Sequence, residues 1–143
     1  MKLLARLRLA ATLENVPRAV DCVRESARAV GFDEQMQCRL QLATDEACAN
    51  VVDHAYQGLE PGDMEVCCCL DGQTFIVRVR DWGRGFDPGA VPDPKVTAPL
   101  QERTLGGLGL YLIYQVMDSV TFTFDPREGN VLTMKKRLPA RQE

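Results

Sequence analysis

The stretch Leu40-Gln41-Leu42-Ala43-Thr44-Asp45-Glu46-Ala47-Cys48-Ala49-Asn50-Val51-Val52-Asp53-His54-Ala55-Tyr56 has the pattern of an amphipathic helix. An α-helix turns about 100° per residue, so residues four positions apart lie on nearly the same face. One face is apolar and predicts contact with a core; it consists of Leu40, Ala43, Ala47, Val51 and Ala55. A polar row of Glu46, Asn50 and His54 runs along its rim. Because an unpaired buried polar group costs about 1–3 kcal/mol, these side chains need partners from the protein or from a ligand.

The composition is that of an ordinary globular domain, with 143 residues, 45% of them hydrophobic and 26% charged. We predict a single domain over residues 1–139 and a disordered tail at residues 140–143. The net charge of −3 argues against nucleic acid as a direct partner. No apolar run reaches the roughly 20 residues of a membrane-spanning helix, and no signal-peptide pattern is present, so we expect a cytoplasmic protein without a membrane partner.

Six cysteines are present, but no Cys-x-x-Cys pair that would indicate a zinc site. Three of them are consecutive, Cys67, Cys68 and Cys69, and would point to alternate faces of a strand. We interpret the cysteines as small hydrophobic core residues in a reducing compartment.

The first half of the chain alternates between strand and helix patterns. Residues 3–11 and 64–70 alternate between apolar and polar side chains, as half-buried strands do. Between them lie two predicted helices. Asn15 is a candidate cap and Pro17 suits the first turn of one, and Asp33 is a candidate cap for the other, which continues to about Gly58.

The second half predicts two hairpins separated by a long loop and a helix. Asp71-Gly72 is a hairpin signal that leads into a strand at residues 75–80. Residues 87–104 are rich in proline and lack periodicity, a helix follows at residues 105–117, and strands follow at 120–124 and 131–138. The order β-α-α-β-β-loop-α-β-β predicts an α+β protein, a two-layer α/β sandwich with a mostly antiparallel sheet and helices on one face.

A carboxylate stands at the end of an apolar row in the third predicted strand. Phe75, Val77, Val79 and Asp81 share one face by parity. Asp81 is followed by Gly83 and Gly85, so its carboxylate could accept hydrogen bonds inside a pocket. Taken alone, Asp-x-Gly is more typical of a simple turn after a strand.

A glycine cluster, Gly106-Gly107-Leu108-Gly109, opens the last predicted helix. Free backbone N–H groups at a helix N-terminus can bind phosphate, and glycines allow an anion to approach closely. Taken alone, such glycines are more often a flexible hinge. A Walker-type Gly-Lys-Ser/Thr sequence is absent, and no strand directly precedes the glycines.

The three features together, in this order, resemble the GHKL (histidine-kinase-like) class of ATP-binding domains. The resemblance is closest to the anti-sigma-factor serine/threonine kinases of bacterial partner-switching pathways. It covers about residues 7–138, and it includes His54-Ala55-Tyr56 and residues 108–113 followed by Met117-Asp118.

The resemblance implies ATP and Mg²⁺ as cofactors and assigns roles to residues. Asn50 would coordinate the Mg²⁺ ion, Asp81 would recognise the adenine amino group, and Glu46 would be the general base for a substrate serine. Gly83 and Gly85 would let the base lie close to the backbone, and a lid at about residues 87–104 would close over the phosphates. The predicted phosphate-binding residues are Thr104, Gly106, Gly107, Leu108 and Gly109.

One feature departs from this family pattern. The best-known members carry an arginine beside the glycine motif, where it reaches the γ-phosphate, whereas Leu105-Gly106 occupies that place here. The nearest arginine is Arg103, which we assign as a second catalytic residue delivered by the lid. We expect His54 to be structural, orienting the metal end of the helix or packing into the core.

The leading hypothesis is an ATP-dependent protein serine/threonine kinase that phosphorylates a STAS-type anti-sigma antagonist and sequesters a sigma factor. The alternative is a nucleotide-gated regulatory binding module with weak or no kinase activity. A detached histidine-kinase catalytic domain is a weaker hypothesis, because the single histidine lies within the ATP helix. A metal hydrolase built on Glu46 and His54 lacks further ligands. Family members are often dimers, so a homodimer is kept open.

Overall fold

A computed structural model describes residues 1–84 and 105–140, with residues 105–109 described by their backbone alone. Five strands form one sheet in the order β1-β2-β3-β5-β4, in which every neighbouring pair is antiparallel. The strands are β1 (Lys2–Ala10), β2 (Asp63–Asp71), β3 (Thr74–Asp81), β4 (Ser119–Asp125) and β5 (Gly129–Arg137). The α-helices are α1 (Val16–Ala29), α2 (Glu34–Asn50) and α3 (Leu105–Val116).

The core lies between the helices and one face of the sheet. Its largest fully buried side chains are Phe75, Leu40, Met64, Ile113 and Met134. The predicted alternation in β2 is confirmed, because Cys68 belongs to this core whereas Cys67 and Cys69 pack with Ile76 in a second cluster. The cysteine prediction is wrong for Cys38, which is exposed. The predicted α+β sandwich and its element order are confirmed, with strand ends displaced by one or two residues.

The two predicted helix caps have different outcomes. Asp33 caps α2 through Oδ1, which accepts a hydrogen bond of 2.8 Å from the Met36 amide. Asn15 precedes α1, but its side chain forms no capping bond and instead donates to the Ala10 carbonyl at 3.0 Å. Asn15 ends a 3₁₀ turn and has helical dihedral angles, φ −92° and ψ −10°, instead of the extended backbone that a capping side chain needs. The cap assignment of Asn15 is therefore wrong.

The second helix does not continue to Gly58 as a regular α-helix. After Asn50 it widens into a π-helical turn, Val51–Ala55. Such a turn changes the direction in which the following side chains point, and it is frequent at functional sites. Val51 and Ala55 remain buried, whereas His54 is exposed. The prediction that His54 packs into the core is therefore wrong.

Two hydrogen bonds attach the segment after β3 to the end of this π turn, and a third joins Tyr56 to the start of β2. The Trp82 amide donates to the Tyr56 hydroxyl at 2.9 Å, and that hydroxyl donates to the Asp63 carbonyl at 2.5 Å. The Arg84 amide donates to the Ala55 carbonyl at 2.6 Å. The π turn after α2, the start of β2 and the end of β3 are thereby joined at one end of the sheet.

Within the described ranges, no helix combines the length and the apolar character needed to cross a membrane.

Replacing Tyr56 with phenylalanine should destabilise the protein by about 1 kcal/mol, because the Trp82 amide and the Asp63 carbonyl lose their shared partner. Urea unfolding measures the loss, and amide hydrogen exchange should show faster exchange at Trp82. The matched control is Tyr114→Phe at an exposed position of α3, which should change stability by less than about 0.5 kcal/mol. Unchanged exchange at Trp82 in Tyr56→Phe would contradict this linking role.

Candidate functional site

A pocket opens between the carboxyl end of α2, the π turn and the adjoining ends of β3 and β5. Its volume is about 110 Å³, below the roughly 300–1,000 Å³ of complete ligand pockets. The described residues therefore enclose only one part of a ligand. The lining is mostly apolar, and its polar members are Asn50, His54, Asp81, Arg84 and Asn130.

Two of the three residues in the polar row of Glu46, Asn50 and His54 line this pocket. Asn50 is half-buried and lines the pocket together with His54. Glu46 is half-buried one turn earlier and is not part of the lining. Partial burial raises the pKa of the Glu46 carboxyl above its ordinary value of 4.5, and the charges of Asp45 and Asp53 raise it further. A carboxylate with a raised pKa is a stronger base than an ordinary glutamate, which suits it to accept a proton.

Asp81 ends the apolar row of β3, as its parity predicts, and is buried with 9% of its surface exposed. Its Oδ1 atom accepts two hydrogen bonds, from the Gly83 amide at 3.0 Å and from Asn130 Nδ2 at 2.9 Å. Burial raises the pKa of the Asp81 carboxyl, while these two donors act in the opposite direction. Within residues 1–84 and 105–140, the donors to this carboxylate bond Oδ1, which leaves Oδ2 available to a ligand.

Two glycines let the backbone segments around Asp81 pack closely. A Cβ atom at Gly83 would lie 2.0 Å from the Ala55 carbonyl oxygen, which is far inside van der Waals contact. Gly129 has a φ of +85°, and a Cβ there would lie 2.5 Å from the Asp81 carbonyl oxygen. Gly83 was predicted for its closeness to a ligand, and the structure adds that the π turn lies against it.

Sequence reasoning missed Asn130 and Trp82. Asn130 is directly opposed to Asp81 in the β3–β5 ladder. The two residues are 49 positions apart in the chain, so their pairing can be recognised only when the register of the two strands is known. Trp82 is the single tryptophan of the chain and directly follows Asp81; it does not line the pocket, and the Arg8 guanidinium lies 4.2 Å from its ring centroid. Because its backbone adjoins Asp81, its fluorescence can serve as a reporter for ligand binding.

The predicted phosphate-binding glycines open α3, as the sequence indicates. Gly106, Gly107, Leu108 and Gly109 fall in the first turns of this helix, which packs against α2. Gly85, Arg103, Thr104 and the predicted lid at residues 87–104 lie outside the described residues.

The described side chains form no group of three or more His, Cys, Asp and Glu residues that could hold a metal ion. A zinc site needs three or four protein ligands, which the described side chains do not bring together. Mg²⁺ keeps several waters and takes one or two protein oxygens together with substrate phosphates. The Asn50 side chain, at the pocket wall, supplies such an oxygen.

Comparisons with known proteins identify relatives over most of the chain. The profile of the histidine kinase-like ATPase domain family matches residues 9–136. A serine-protein kinase RsbW from Halalkalibacterium halodurans is 39% identical over 103 residues, which are 69% of this chain and 61% of that protein. A serine-protein kinase RsbW from Listeria monocytogenes is 32% identical over 120 residues, which are 81% of this chain and 75% of that protein.

A solved structure agrees with the fold. The RsbU and RsbW domains of a Mycobacterium tuberculosis protein superpose with a TM-score of 0.64 and 20% identity, covering 96% of this chain and 34% of that one. The predicted fold and the predicted resemblance to kinases of this class are therefore confirmed. The chain belongs to the histidine kinase-like ATPase domain family, and its relatives there include serine-protein kinases named RsbW.

Proposed function

We propose that this protein is an ATP-dependent serine/threonine protein kinase of the anti-sigma-factor type. It acts in the cytoplasm, phosphorylates a STAS-type anti-sigma antagonist and sequesters a sigma factor. The observation that carries the ATP assignment is the buried Asp81 carboxylate at the pocket wall, with Oδ1 occupied by protein donors. Names of relatives support the choice of kinase class.

Asp81 provides the contact that recognises the base. The exocyclic amino group of adenine is a hydrogen-bond donor, and an ionised carboxylate is an acceptor only. Val79 and Leu132 line the same pocket and offer apolar surface to the flat base. Gly83 and Gly85 are assigned to the base by resemblance alone.

Asn50 and the first turns of α3 bind the charged end of the nucleotide. Mg²⁺, when bound, offsets the negative charge of the phosphates. Asn50 provides one oxygen ligand for this ion from its place on the pocket wall. The free N–H groups of the first turn of α3, among them those of Gly106 and Gly107, form the phosphate site, because the first N–H groups of a helix have no partner within the helix. Leu108 and Gly109 are assigned to this site by resemblance. Thr104 and Arg103 are assigned to the phosphates by resemblance alone.

Glu46 acts as the general base on the substrate hydroxyl. It lies one helical turn from Asn50, about 6 Å along the axis, and so borders the phosphate end of the pocket instead of the base end. Its raised pKa favours proton uptake from a serine hydroxyl. A positioned general base contributes roughly 10²- to 10⁴-fold in rate.

A second candidate function is a nucleotide-gated binding module that transfers phosphate weakly or not at all. Two observations favour it: Glu46 is not part of the pocket lining, and Leu105-Gly106 stands where an arginine is expected. In both functions the sigma factor and the antagonist are protein partners, and a homodimer remains a prediction from the resemblance.

Two variants of α2 separate these functions. Asn50→Ala should abolish binding of ATP with Mg²⁺, whereas Glu46→Ala should retain binding and lose transfer by roughly 10²-fold or more. Titration calorimetry measures binding, and phosphoserine on a STAS-type antagonist measures transfer. Glu34→Gln, an exposed change in the first turn of α2, is the control and should alter neither. Transfer that survives intact in Glu46→Ala would show that the base assignment is wrong.

The transfer rate should fall on acidification, with a midpoint above the ordinary glutamate value of 4.5. A base works when deprotonated, and a raised pKa means that Glu46 takes up its proton at a higher pH. Asp53→Asn removes one of the like charges that raise this pKa, so the midpoint should move to lower pH. Initial rates at saturating ATP across a pH series give the midpoint. Equal midpoints in the wild type and in Asp53→Asn would argue against Glu46 as the titrating group.

A further inference from the structure

The side chain of Asn130 joins two parts of the pocket wall. Asn130, the second residue of β5, lies opposite Asp81 of β3, and both residues lie on the helix-facing side of the sheet. Its Nδ2 atom donates to Asp81 Oδ1 at 2.9 Å and to the Gly83 carbonyl at 3.0 Å. One uncharged amide group therefore contacts both the carboxylate and the segment that follows it.

This contact decides which carboxylate oxygen is left for a ligand. Oδ1 already receives the Gly83 amide and Asn130 Nδ2, so its acceptor capacity is largely used. With Oδ1 held from two directions, rotation of the carboxylate about its terminal torsion is restricted. Oδ2 is then presented in one orientation.

We propose that Asn130 is a positioning residue: it orients the Asp81 carboxylate so that Oδ2 accepts the exocyclic amino group of a purine nucleotide. It thereby sets the selectivity for purines that carry this amino group. The inference rests on the proposed ATP site and adds to it the residue that prepares the site before the nucleotide binds. Preorganisation of this kind increases affinity because less ordering remains to be done on binding.

The chemistry of the asparagine side chain suits this task. A carboxamide NH₂ group has two hydrogens, one for Asp81 Oδ1 and one for the Gly83 carbonyl. A serine or threonine hydroxyl has one hydrogen and serves only one of these acceptors. An aspartate would place a second carboxylate against Asp81 and would repel it.

A comparison of two nucleotides distinguishes a positioning role of Asn130 from a general structural role. ATP carries the exocyclic amino group, whereas purine riboside triphosphate lacks it and is otherwise closely similar. Binding of both, with Mg²⁺, is measured by titration calorimetry and by Trp82 fluorescence on the full chain. Wild-type protein should bind ATP more tightly than the analogue.

Asn130→Ala should weaken ATP binding by about tenfold, the typical effect of a hydrogen bond to a charged group. It should weaken binding of the analogue by less than about threefold, because that nucleotide does not use Oδ2. Asn130→Ser retains one donor and should fall between alanine and the wild type for ATP. Thr133→Ala, on the same strand but on the opposite face of the sheet, is the control and should leave both affinities unchanged.

The results test two statements separately: that Asp81 recognises the amino group, and that Asn130 positions Asp81. A wild-type protein that binds both nucleotides equally shows that Asp81 does not read the amino group, and the proposed base recognition fails. A wild type that discriminates, combined with equal weakening of both nucleotides in Asn130→Ala, overturns the positioning role alone. If Asn130→Ala does not fold, the comparison is made with Asn130→Ser, whose discrimination must be reduced for the proposal to stand.

Discussion

Asp81 accepts two hydrogen bonds at one carboxylate oxygen, at the point where the apolar row of β3 ends. A buried carboxylate is costly unless donors compensate for the lost water, and here one donor is a backbone amide and the other a neutral side chain. Both donors are uncharged and bond Oδ1, so within residues 1–84 and 105–140 they leave the charge of the carboxylate in place and Oδ2 for a ligand. The proposed recognition of adenine depends on this arrangement.

The fold brings distant parts of the chain to this carboxylate. The β3–β5 register sets Asn130 opposite Asp81, and Gly129 allows the two backbones to come close. On the other side, the π turn and Tyr56 attach the segment after β3 to the end of α2. The carboxyl end of α2, with Asn50, is thus placed at the same pocket as Asp81. Helix, hairpin and turn each contribute backbone contacts as well as side chains to the site.

Much of the fold could be predicted from the sequence, because the spacing of apolar side chains indicates which residues are buried. The alternation of Phe75, Val77 and Val79 correctly placed Asp81 at the end of a buried row, and the order of elements correctly indicated the sandwich. Local chemistry was less reliable: Asp33 caps its helix, whereas Asn15 is held in a helical backbone conformation that prevents capping. The π turn and the Asp81–Asn130 contact depend on tertiary packing and strand register, which no local pattern encodes. The same packing leaves His54 exposed, so only the expectation that it packs into the core was wrong.

The most direct test of the central claim is a crystal structure with a non-hydrolysable ATP analogue and Mg²⁺. The account predicts the adenine amino group within hydrogen-bond distance of Asp81 Oδ2, about 2.7–3.2 Å, with Asn130 still bonded to Oδ1. It also predicts Mg²⁺ on the Asn50 side chain and the phosphates at the first turns of α3. A base bound elsewhere, or one whose amino group does not contact Asp81, would contradict the account.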